Sequence, residues 1–334
     1  MRVTDVEQTN RAPAQAHQAA MESAAEPPFH EELERVWGAR WGASDEVGVL
    51  RRVFVRRPGD ELLAVRADAW DERMGALVDP GGRWYWTDRN PPDVEKVREQ
   101  HQGLVDALLA EDVVVDVAEP LGEGFVKAMY TRDPMITVPG GAIVGRMGVR
   151  MRRGEEPQVT RELAALGIPI LGTITGTGTL EGGSFTKLRP GVAAFGTSIR
   201  CNHEAARQLR TLLELIGVEL IVVPIAGYSI HIDLHFAMVD VDRALVDPSG
   251  LPYDFLLKLR ELGIETIEAA AGEEWGLNLL CLRPGRVLMA EGSPRSAELL
   301  SRAGIEVTTV PYDEIQKNGG GVHCSTMELV RDPA

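Results

Sequence analysis

The stretch RTLLELIGVELIVVPI, residues 210–225, joins two kinds of local pattern through a single glycine. Its leucine-rich first half is typical of an amphipathic helix, and its second half is a short run of β-branched residues that is typical of an apolar strand. Gly217 between them marks a turn. The stretch therefore predicts a helix, a turn and a strand.

The same pattern occurs five times along the chain. The other copies lie at residues 104–119, 161–174, 256–270 and 297–312. If the first strand positions are equivalent, the copies are 55, 50, 46 and 41 residues apart, as measured at Val113, Ile168, Val218, Ile264 and Ile305. This spacing suits a unit of several elements rather than a simple solenoid. Further strand-like runs at 141–147, 191–198, 231–240 and 286–292 extend each unit to two strands, a helix and a strand.

Such units can form a doubly wound sheet or a ring around a centre. Five copies favour the ring, which predicts an α/β fold in the form of a five-bladed α/β propeller with ββαβ repeats. The polar ends of its strands would then converge on one central cleft. We divide the chain into a disordered tail over residues 1–28, a helix that leads into the domain over 29–45, and a single catalytic domain over 46–330.

The amino-acid composition of the chain indicates which class of binding partner to expect. The chain carries 35 basic and 50 acidic residues, a net charge of −15, and lacks a basic cluster. This balance disfavours nucleic acid and anionic membranes and favours a small molecule. No run of 18 apolar residues occurs, and three scattered cysteines suggest a reducing compartment. We therefore expect a cytoplasmic protein, with a homo-oligomer as an open option.

The run YSIHIDLHFAMVD, residues 228–240, is the clearest local signal. Read as a strand, it places His231, Asp233 and His235 on one face and apolar residues on the other. A half-exposed strand with a polar outer face explains the pattern equally well. The same three side chains suit a metal, but the rest of the chain offers no matching His or Cys pair.

Three further segments contribute polar residues. In GTGTLEGGSF, residues 176–185, the glycine spacing does not fit a nucleotide loop, but two glycines allow a tight turn after Glu181. Asp133 precedes a proline, which favours an extended conformation. Cys324 follows three glycines and a histidine. Each residue has an ordinary structural explanation alone, yet together they come one per unit from four successive units.

This set of motifs, in this order, resembles the guanidino-modifying superfamily of arginine deiminase, dimethylarginine dimethylaminohydrolase, agmatine deiminase and the amidinotransferases. The motifs are YTRDP (130–134), LEGG (180–183), TSIRCN (197–202), HID (231–233) and GGGVHCST (319–326). The resemblance implies the five-bladed propeller and no metal or organic cofactor. It also implies that Cys324 is the nucleophile, His231 the general acid/base and Glu181 the residue that orients His231. Asp133 and Asp233 would hold the guanidinium.

The resemblance extends to the part of the substrate beyond its guanidino group, which we call the tail. Arg200 matches an arginine that binds the substrate carboxylate, and a second arginine could come from Arg150, with Arg152 and Arg153 as alternatives. Lys127 stands where arginine deiminase has an asparagine that helps to hold the amino acid. Ser184 also departs from the deiminase motif, which commonly has aspartate there. Both departures leave the identity of the substrate open.

The predicted function is a cysteine-dependent hydrolase that acts on the guanidino group of arginine or a derivative through a covalent amidino-thioether. One alternative is an amidinotransferase, in which an amine replaces water. Another is a non-catalytic propeller that binds a partner. The aromatic stretch GRWYWTDRNPP, residues 82–92, is predicted to be either a lid or a packed surface turn.

Overall fold

The computed structural model describes residues 14–18 and 28–334. Residues 14–18 are helical, and the rest of the predicted tail, apart from Pro28, lies outside the described residues. The helices are α1 (Phe29–Trp37), α2 (Val94–Leu109), α3 (Glu155–Leu166), α4 (His203–Glu214), α5 (Tyr253–Glu261), α6 (Pro294–Arg302) and α7 (Asp313–Gln316).

The strands are short and form three-stranded sheets. In chain order they are β1 (Leu50–Arg56), β2 (Trp70–Asp71), β3 (Ala76–Val78), β4 (Tyr85–Trp86), β5 (Val114–Ala118), β6 (Met135–Val138), β7 (Gly141–Val144), β8 (Ile170–Thr173), β9 (Phe185–Arg189), β10 (Val192–Thr197), β11 (Glu219–Pro224), β12 (Phe236–Asp240), β13 (Arg243–Val246), β14 (Glu265–Glu268), β15 (Leu280–Arg283), β16 (Arg286–Ala290), β17 (Glu306–Val310) and β18 (Met327–Arg331).

Four of these sheets repeat one connection. Two antiparallel strands are followed by a helix and by a third strand that runs parallel to the second, as in β6, β7, α3 and β8. The same order recurs in β9 to β11, in β12 to β14 and in β15 to β17. The protein is therefore an α/β fold built from the predicted ββαβ unit.

The remaining unit joins the two ends of the described domain. β18 pairs antiparallel with β1, so that Phe54 lies opposite Met327, and β5 pairs parallel with the other side of β1. β2, β3 and β4 form a separate small sheet between β1 and α2. The last strand of the chain thus completes the first sheet.

The stretch that predicted the unit folds as expected. α4 ends at Glu214, Gly217 adopts a left-handed conformation with φ of 71°, and β11 follows from Glu219. The helix buries Leu209 and Leu213 in a cluster that also contains Phe195 of β10. Burial of this apolar face stabilises the unit, because the helix alone is too short to be stable in water.

The leading helix is shorter than predicted. α1 ends at Trp37 because Gly38 takes a left-handed conformation with φ of 79°, which terminates a helix. Residues 39–45 are not helical, and Trp41 among them is buried in a core cluster with Phe54 and Met327. Within residues 14–18 and 28–334, no helix combines the length and the hydropathy required to cross a membrane.

Candidate active site

Each unit contributes a polar residue from the segment that enters its first strand. Asp133 lies two residues before β6, and Glu181 lies four before β9. Asp233 and Cys324 each lie three residues before their strands, β12 and β18. In the fifth unit, Asn278 lies two residues before β15. The repeated connection therefore explains why residues far apart in sequence meet in one site.

The thiol of Cys324 lies between a donor and an acceptor. The side-chain amide of Asn278 donates to Sγ at 3.0 Å, and Oδ2 of Asp233 lies 3.8 Å from Sγ on the acceptor side. Burial, together with the charges of Asp233 and Asp133, raises the pKa of the thiol well above its ordinary value. Without a bound cation, the thiol form is therefore favoured.

Glu181 orients His231. Nε2 of the imidazole donates to Oε2 of Glu181 at 2.8 Å, and the same oxygen accepts from Arg200 at 3.1 Å. Oε1 accepts from the backbone N–H of Gly148 at 2.9 Å. Burial opposes ionisation of Glu181, but the bond from His231 and the charge of Arg200 lower the pKa of its carboxyl group. Glu181 is therefore an ionised acceptor that leaves Nδ1 of His231 available.

Two buried carboxylates face that nitrogen. Oδ1 of Asp133 lies 3.6 Å and Oδ1 of Asp233 lies 4.0 Å from Nδ1 of His231. Burial lowers the pKa of His231, yet Asp133, Glu181 and Asp233 raise it, and the net shift is upward. Both Oδ1 atoms are buried and have no hydrogen-bond partner among the residues that the structure describes. They offer two acceptor positions to a cationic group.

The second oxygen of each aspartate is engaged by a neighbouring cation or imidazole. Oδ2 of Asp133 accepts a bond from Arg152, which also pairs with Glu155 at 2.8 Å. Oδ2 of Asp233 accepts from Nδ1 of His323 at 2.8 Å. Burial would raise the pKa of Asp233, but the bond from His323 lowers it overall. Arg152 and His323 thus fix the two carboxylates in position.

Glycine is required at several motif positions because neighbouring atoms lie where a Cβ would be. A Cβ on Gly183 would lie 2.6 Å from Nδ1 of His231, and one on Gly182 would lie 2.1 Å from the carbonyl oxygen of Arg132. Before Cys324, a Cβ on Gly321 would lie 2.6 Å from Oδ1 of Asn278. Side chains at these positions would displace the reactive groups. The predicted tight turn after Glu181 is a short 3-10 helix, Gly182–Ser184.

Asp133, His231 and Cys324 open onto a cavity of about 220 Å³, which we call the site cavity, whereas Asp233 and Glu181 lie behind its lining. Its lining residues are Tyr85, Thr87, Lys127, Tyr130, Asp133, Arg152, Arg200, Ile230, His231, Leu234, Glu274, Gly319 and Cys324. Of the predicted substrate-binding residues, Lys127, Asp133 and Arg200 line it. The hydroxyl of Tyr85 accepts a bond from Arg200 at 2.9 Å.

Arg152, rather than Arg150, is the arginine of its segment that reaches the site cavity. Arg152 is buried, whereas the side chain of Arg150 is exposed and does not line the cavity. The aromatic stretch packs into the core through Trp84 and Trp86 and presents Tyr85 between them to the cavity. The packed-turn alternative therefore describes this stretch, rather than an open lid.

The predicted strand over residues 228–240 begins only at Phe236. Residues Ile232–Leu234 form a 3-10 turn instead, which brings His231 and Asp233 together without the alternation of a strand. His235 bonds to Ser229 and Asp247 at 2.7 and 2.9 Å and does not line the site cavity. The shared-face interpretation was therefore wrong for His235.

A different trio has metal-binding geometry. Ligand atoms of Asp133, Glu181 and His231 all lie within 4.8 Å of one another. However, Nε2 of His231 and Oε2 of Glu181 already bond to each other, and Oε2 also accepts from Arg200. A metal ion would therefore have to compete with these contacts.

The sequence motifs gave no indication of Asn278, and they marked His323 only as the residue before Cys324. No motif marks the segment that contains Asn278. Its position two residues before β15, equivalent to that of Asp133 before β6, is a signal that the repeat could have supplied. The other cysteines are buried, and burial raises the pKa of both Cys201 and Cys281 to about 12.

Comparisons with known proteins identify the family of the chain. The family model for arginine deiminase matches residues 124–262 and 256–331. An N(G),N(G)-dimethylarginine dimethylaminohydrolase of Pseudomonas aeruginosa is 29% identical over 238 residues, which cover 71% of this chain and 90% of that protein.

Solved structures share the fold. The dimethylarginine dimethylaminohydrolase of Pseudomonas aeruginosa, solved in complex with citrulline, matches with a TM-score of 0.68 at 26% identity and covers 84% of this chain and 99% of its own. SxtG, an amidinotransferase from Microseira wollei, matches in fold with a TM-score of 0.69 at 16% identity, over 89% of this chain and 98% of its own. The chain belongs to the arginine deiminase family and, with it, to the superfamily of enzymes that modify guanidino groups.

Proposed function

We propose that the protein is a hydrolase that cleaves a C–N bond in the guanidino group of arginine or an arginine derivative. One observation carries the proposal. A cysteine thiol and an oriented imidazole lie beside two buried carboxylates, Asp133 and Asp233, whose Oδ1 atoms lack hydrogen-bond partners within the described part of the chain. An unpartnered buried carboxylate is costly, so a cationic ligand is the natural partner for such a pair.

A guanidinium fits these acceptors better than an ammonium does. It is planar, keeps its positive charge and presents N–H donors in a fixed geometry that matches carboxylates. Its binding would place a positive charge beside the carboxylates that raise the pKa of the Cys324 thiol. The bound substrate would therefore promote formation of the thiolate that attacks it.

The reaction then proceeds in two halves. Sγ of Cys324 forms a bond to the central guanidino carbon, the bond to the departing amine breaks, and His231 supplies the proton that this amine takes. Water next adds to the amidino-thioether while His231 takes one of its protons, and the C–S bond breaks. The products are a ureido compound and an amine, and the thiolate is regenerated.

We also propose that the five units surround the site cavity as a five-bladed propeller. The repeated connection supports this arrangement, because each unit sends the segment before its first strand to the same group of residues. The closure of the first sheet by β18 also supports it, since a ring requires its first and last units to be joined.

The tail of the substrate carries an anionic group in this proposal. Lys127, Arg152 and Arg200 all line the site cavity. Arg152 pairs with Asp133 and Glu155, and Arg200 pairs with Glu181. Among the described residues, Lys127 has no carboxylate within 4.0 Å, and burial followed by the charges of Arg200 and Arg152 lowers its pKa. A substrate carboxylate would favour the charged form of Lys127 by supplying a counter-ion, and it would be a further partner for Arg200.

The reaction type can be tested with guanidino compounds in oxygen-18 water. A hydrolase should form a ureido product that carries one heavy oxygen, at a rate that added primary amines do not change. Turnover that requires an amine acceptor and leaves no label in the product would identify an amidinotransferase instead. Binding without turnover of any compound would favour a binding module. EDTA should leave the rate unchanged.

The tail can be tested with arginine, methylated arginines, 4-guanidinobutyrate and agmatine. Agmatine lacks a carboxylate and should be the poorest substrate. Lys127→Met and Arg200→Ala should each reduce the preference for carboxylate-bearing compounds over agmatine. If the wild-type protein prefers agmatine, Lys127 and Arg200 do not bind a substrate carboxylate.

A further inference from the structure

We propose that Asn278 is a catalytic residue whose side-chain N–H stabilises the thiolate form of Cys324. The proposal rests on the proposed function only in taking Cys324 as the nucleophile. Asn278 belongs to the one ββαβ unit from which the sequence motifs supplied no site residue. It occupies the position, two residues before the first strand, that Asp133 occupies in its own unit.

The side chain of Asn278 holds Cys324 at two points. Oδ1 accepts the backbone N–H of Cys324 at 3.2 Å, and Nδ2 lies 3.0 Å from Sγ. The backbone N–H can only donate, so the oxygen of the amide must face it. The nitrogen must therefore face the sulfur. The orientation of this amide is fixed by the contacts themselves.

The surroundings keep this contact in place. Asn278 is 1% exposed, and its backbone N–H donates to the carbonyl oxygen of Trp275 at 3.1 Å. Gly321 allows the approach, because a Cβ there would lie 2.6 Å from Oδ1 of Asn278. The backbone of Asn278 and the close approach of Gly321 therefore hold the amide against the sulfur.

Asn278 opposes the effect of the nearby carboxylates. Asp233 and Asp133 disfavour a negative sulfur, whereas an N–H donor favours it. In the resting site the S–H can point to Oδ2 of Asp233, at 3.8 Å. When a cationic substrate occupies the carboxylates, the thiol releases its proton to water in the site cavity, and Nδ2 of Asn278 remains as a donor to the charged sulfur. The same contact also holds Sγ in one position before and after deprotonation.

The test is the pH dependence of alkylation of Cys324 by iodoacetamide, followed by mass spectrometry in the full chain without substrate. Asn278→Asp keeps an oxygen that accepts the Cys324 N–H, but it replaces the N–H donor by an acceptor and adds a negative charge. We expect alkylation about tenfold slower or more at pH 8, with the midpoint of the profile moved to higher pH by about one unit or more. Asn278→Ala removes the donor without adding a charge and should move the midpoint in the same direction.

Asn202→Asp is the matched control. Asn202 caps α4 by accepting from the N–H of Ala205, and the substitution should leave the profile of Cys324 unchanged. If Asn278→Asp does not fold, Asn278→Ala alone decides the result. An unchanged midpoint in a folded Asn278 variant would overturn the proposal. Because alkylation requires no turnover, a failed substrate screen would count against the proposed function without affecting this result.

Discussion

Two buried groups of charges lie side by side in this protein and differ in how they are balanced. The closed ion cluster contains Arg132, Lys187, Glu46 and Glu328, with opposite charges 2.6 to 2.8 Å apart. The site cluster begins at the next residue, Asp133, and includes Glu181, His231 and Asp233. Both are almost inaccessible to water, yet only the site cluster opens onto the site cavity.

The two clusters differ in how completely the oxygens of their carboxylates are paired with cations or hydrogen-bond donors. In the closed ion cluster, two cations meet two carboxylates, and Glu328 bridges Arg132 and Lys187. In the site cluster, Oδ1 of Asp133 and Oδ1 of Asp233 have no hydrogen-bond partner among the described residues, and the imidazole that they face lies 3.6 and 4.0 Å away. Oε2 of Glu328 in the closed ion cluster also lacks a hydrogen bond there, but it lies 2.6 Å from the guanidinium of Arg132. A balanced buried cluster serves the fold, whereas an unbalanced one beside a cavity is typical of a binding or catalytic site.

The largest expected effect is at Cys324, the proposed nucleophile beside the site cluster. Cys324→Ser should reduce kcat by roughly 10⁴-fold or more, because a hydroxyl is a far weaker nucleophile than a thiolate. The fold should persist, since no ion pair of the closed ion cluster changes. Activity and thermal unfolding of the purified variant provide the measurement.

The other two cysteines are the controls for this prediction. Cys201→Ser and Cys281→Ser should remain active, because neither residue lines the site cavity. Turnover by folded Cys324→Ser at a rate near that of the wild type would exclude Cys324 as the nucleophile.

The next largest effect should come from the closed ion cluster and appear in stability. Glu328→Gln leaves Arg132 and Lys187 buried with one charge fewer to balance them. Removing one partner from a buried pair typically costs about 3–5 kcal/mol. Urea denaturation should show a loss of this order in the free energy of unfolding, whereas the folded fraction should retain turnover. A variant as stable as the wild type would mean that this cluster does not hold the fold together.

The sequence predicted the repeated parts of the molecule better than the single contacts. The ββαβ unit follows from local periodicity, which short-range interactions enforce, and the motif residues Cys324, His231, Glu181 and Asp133 do come together. Asn278 could not be found in this way, because its importance lies in a contact with a residue 46 positions away.

The sequence also did not predict the conformation of short segments in which tertiary contacts determine the backbone. The alternating pattern at 231–235 suggested a strand, but the chain forms a 3-10 turn there, which lets Asp233 bond to His323. Three neighbouring arginines were candidates for the site cavity. The fold determines that Arg152 is the one that reaches it, because Arg152 pairs with Asp133 and Glu155. The sequence pattern at these positions is compatible with more than one conformation.

A smaller effect than those of Cys324 and Glu328 is expected at the carboxylates of the site cluster. Asp233→Asn removes a charged hydrogen-bond partner of the substrate, a loss of about 1.5–3 kcal/mol, which is roughly ten- to hundredfold in kcat/KM. Asp247→Asn is a matched control, because Asp247 also bonds to a histidine, His235, at 2.9 Å, but outside the site cavity. Equal kcat/KM values for the two variants would assign Asp233 to structure alone.

The smallest expected effect is a pH dependence of stability that arises from the same imbalance. Burial lowers the pKa of His231, but Asp133, Glu181 and Asp233 raise it above its ordinary value of 6.5 in the folded protein. A group whose pKa is raised by folding stabilises the native state fully below its unfolded pKa, and this contribution is lost as the pH rises through the folded pKa. The difference in unfolding free energy between the wild type and His231→Gln should therefore be largest below about pH 6.5 and shrink above it.

Urea denaturation between pH 5 and 9 measures this difference, with His203→Gln as a control for removing an exposed imidazole. If the advantage of the wild type grew with pH, His231 would be held neutral, and the excess of carboxylates would not govern its protonation.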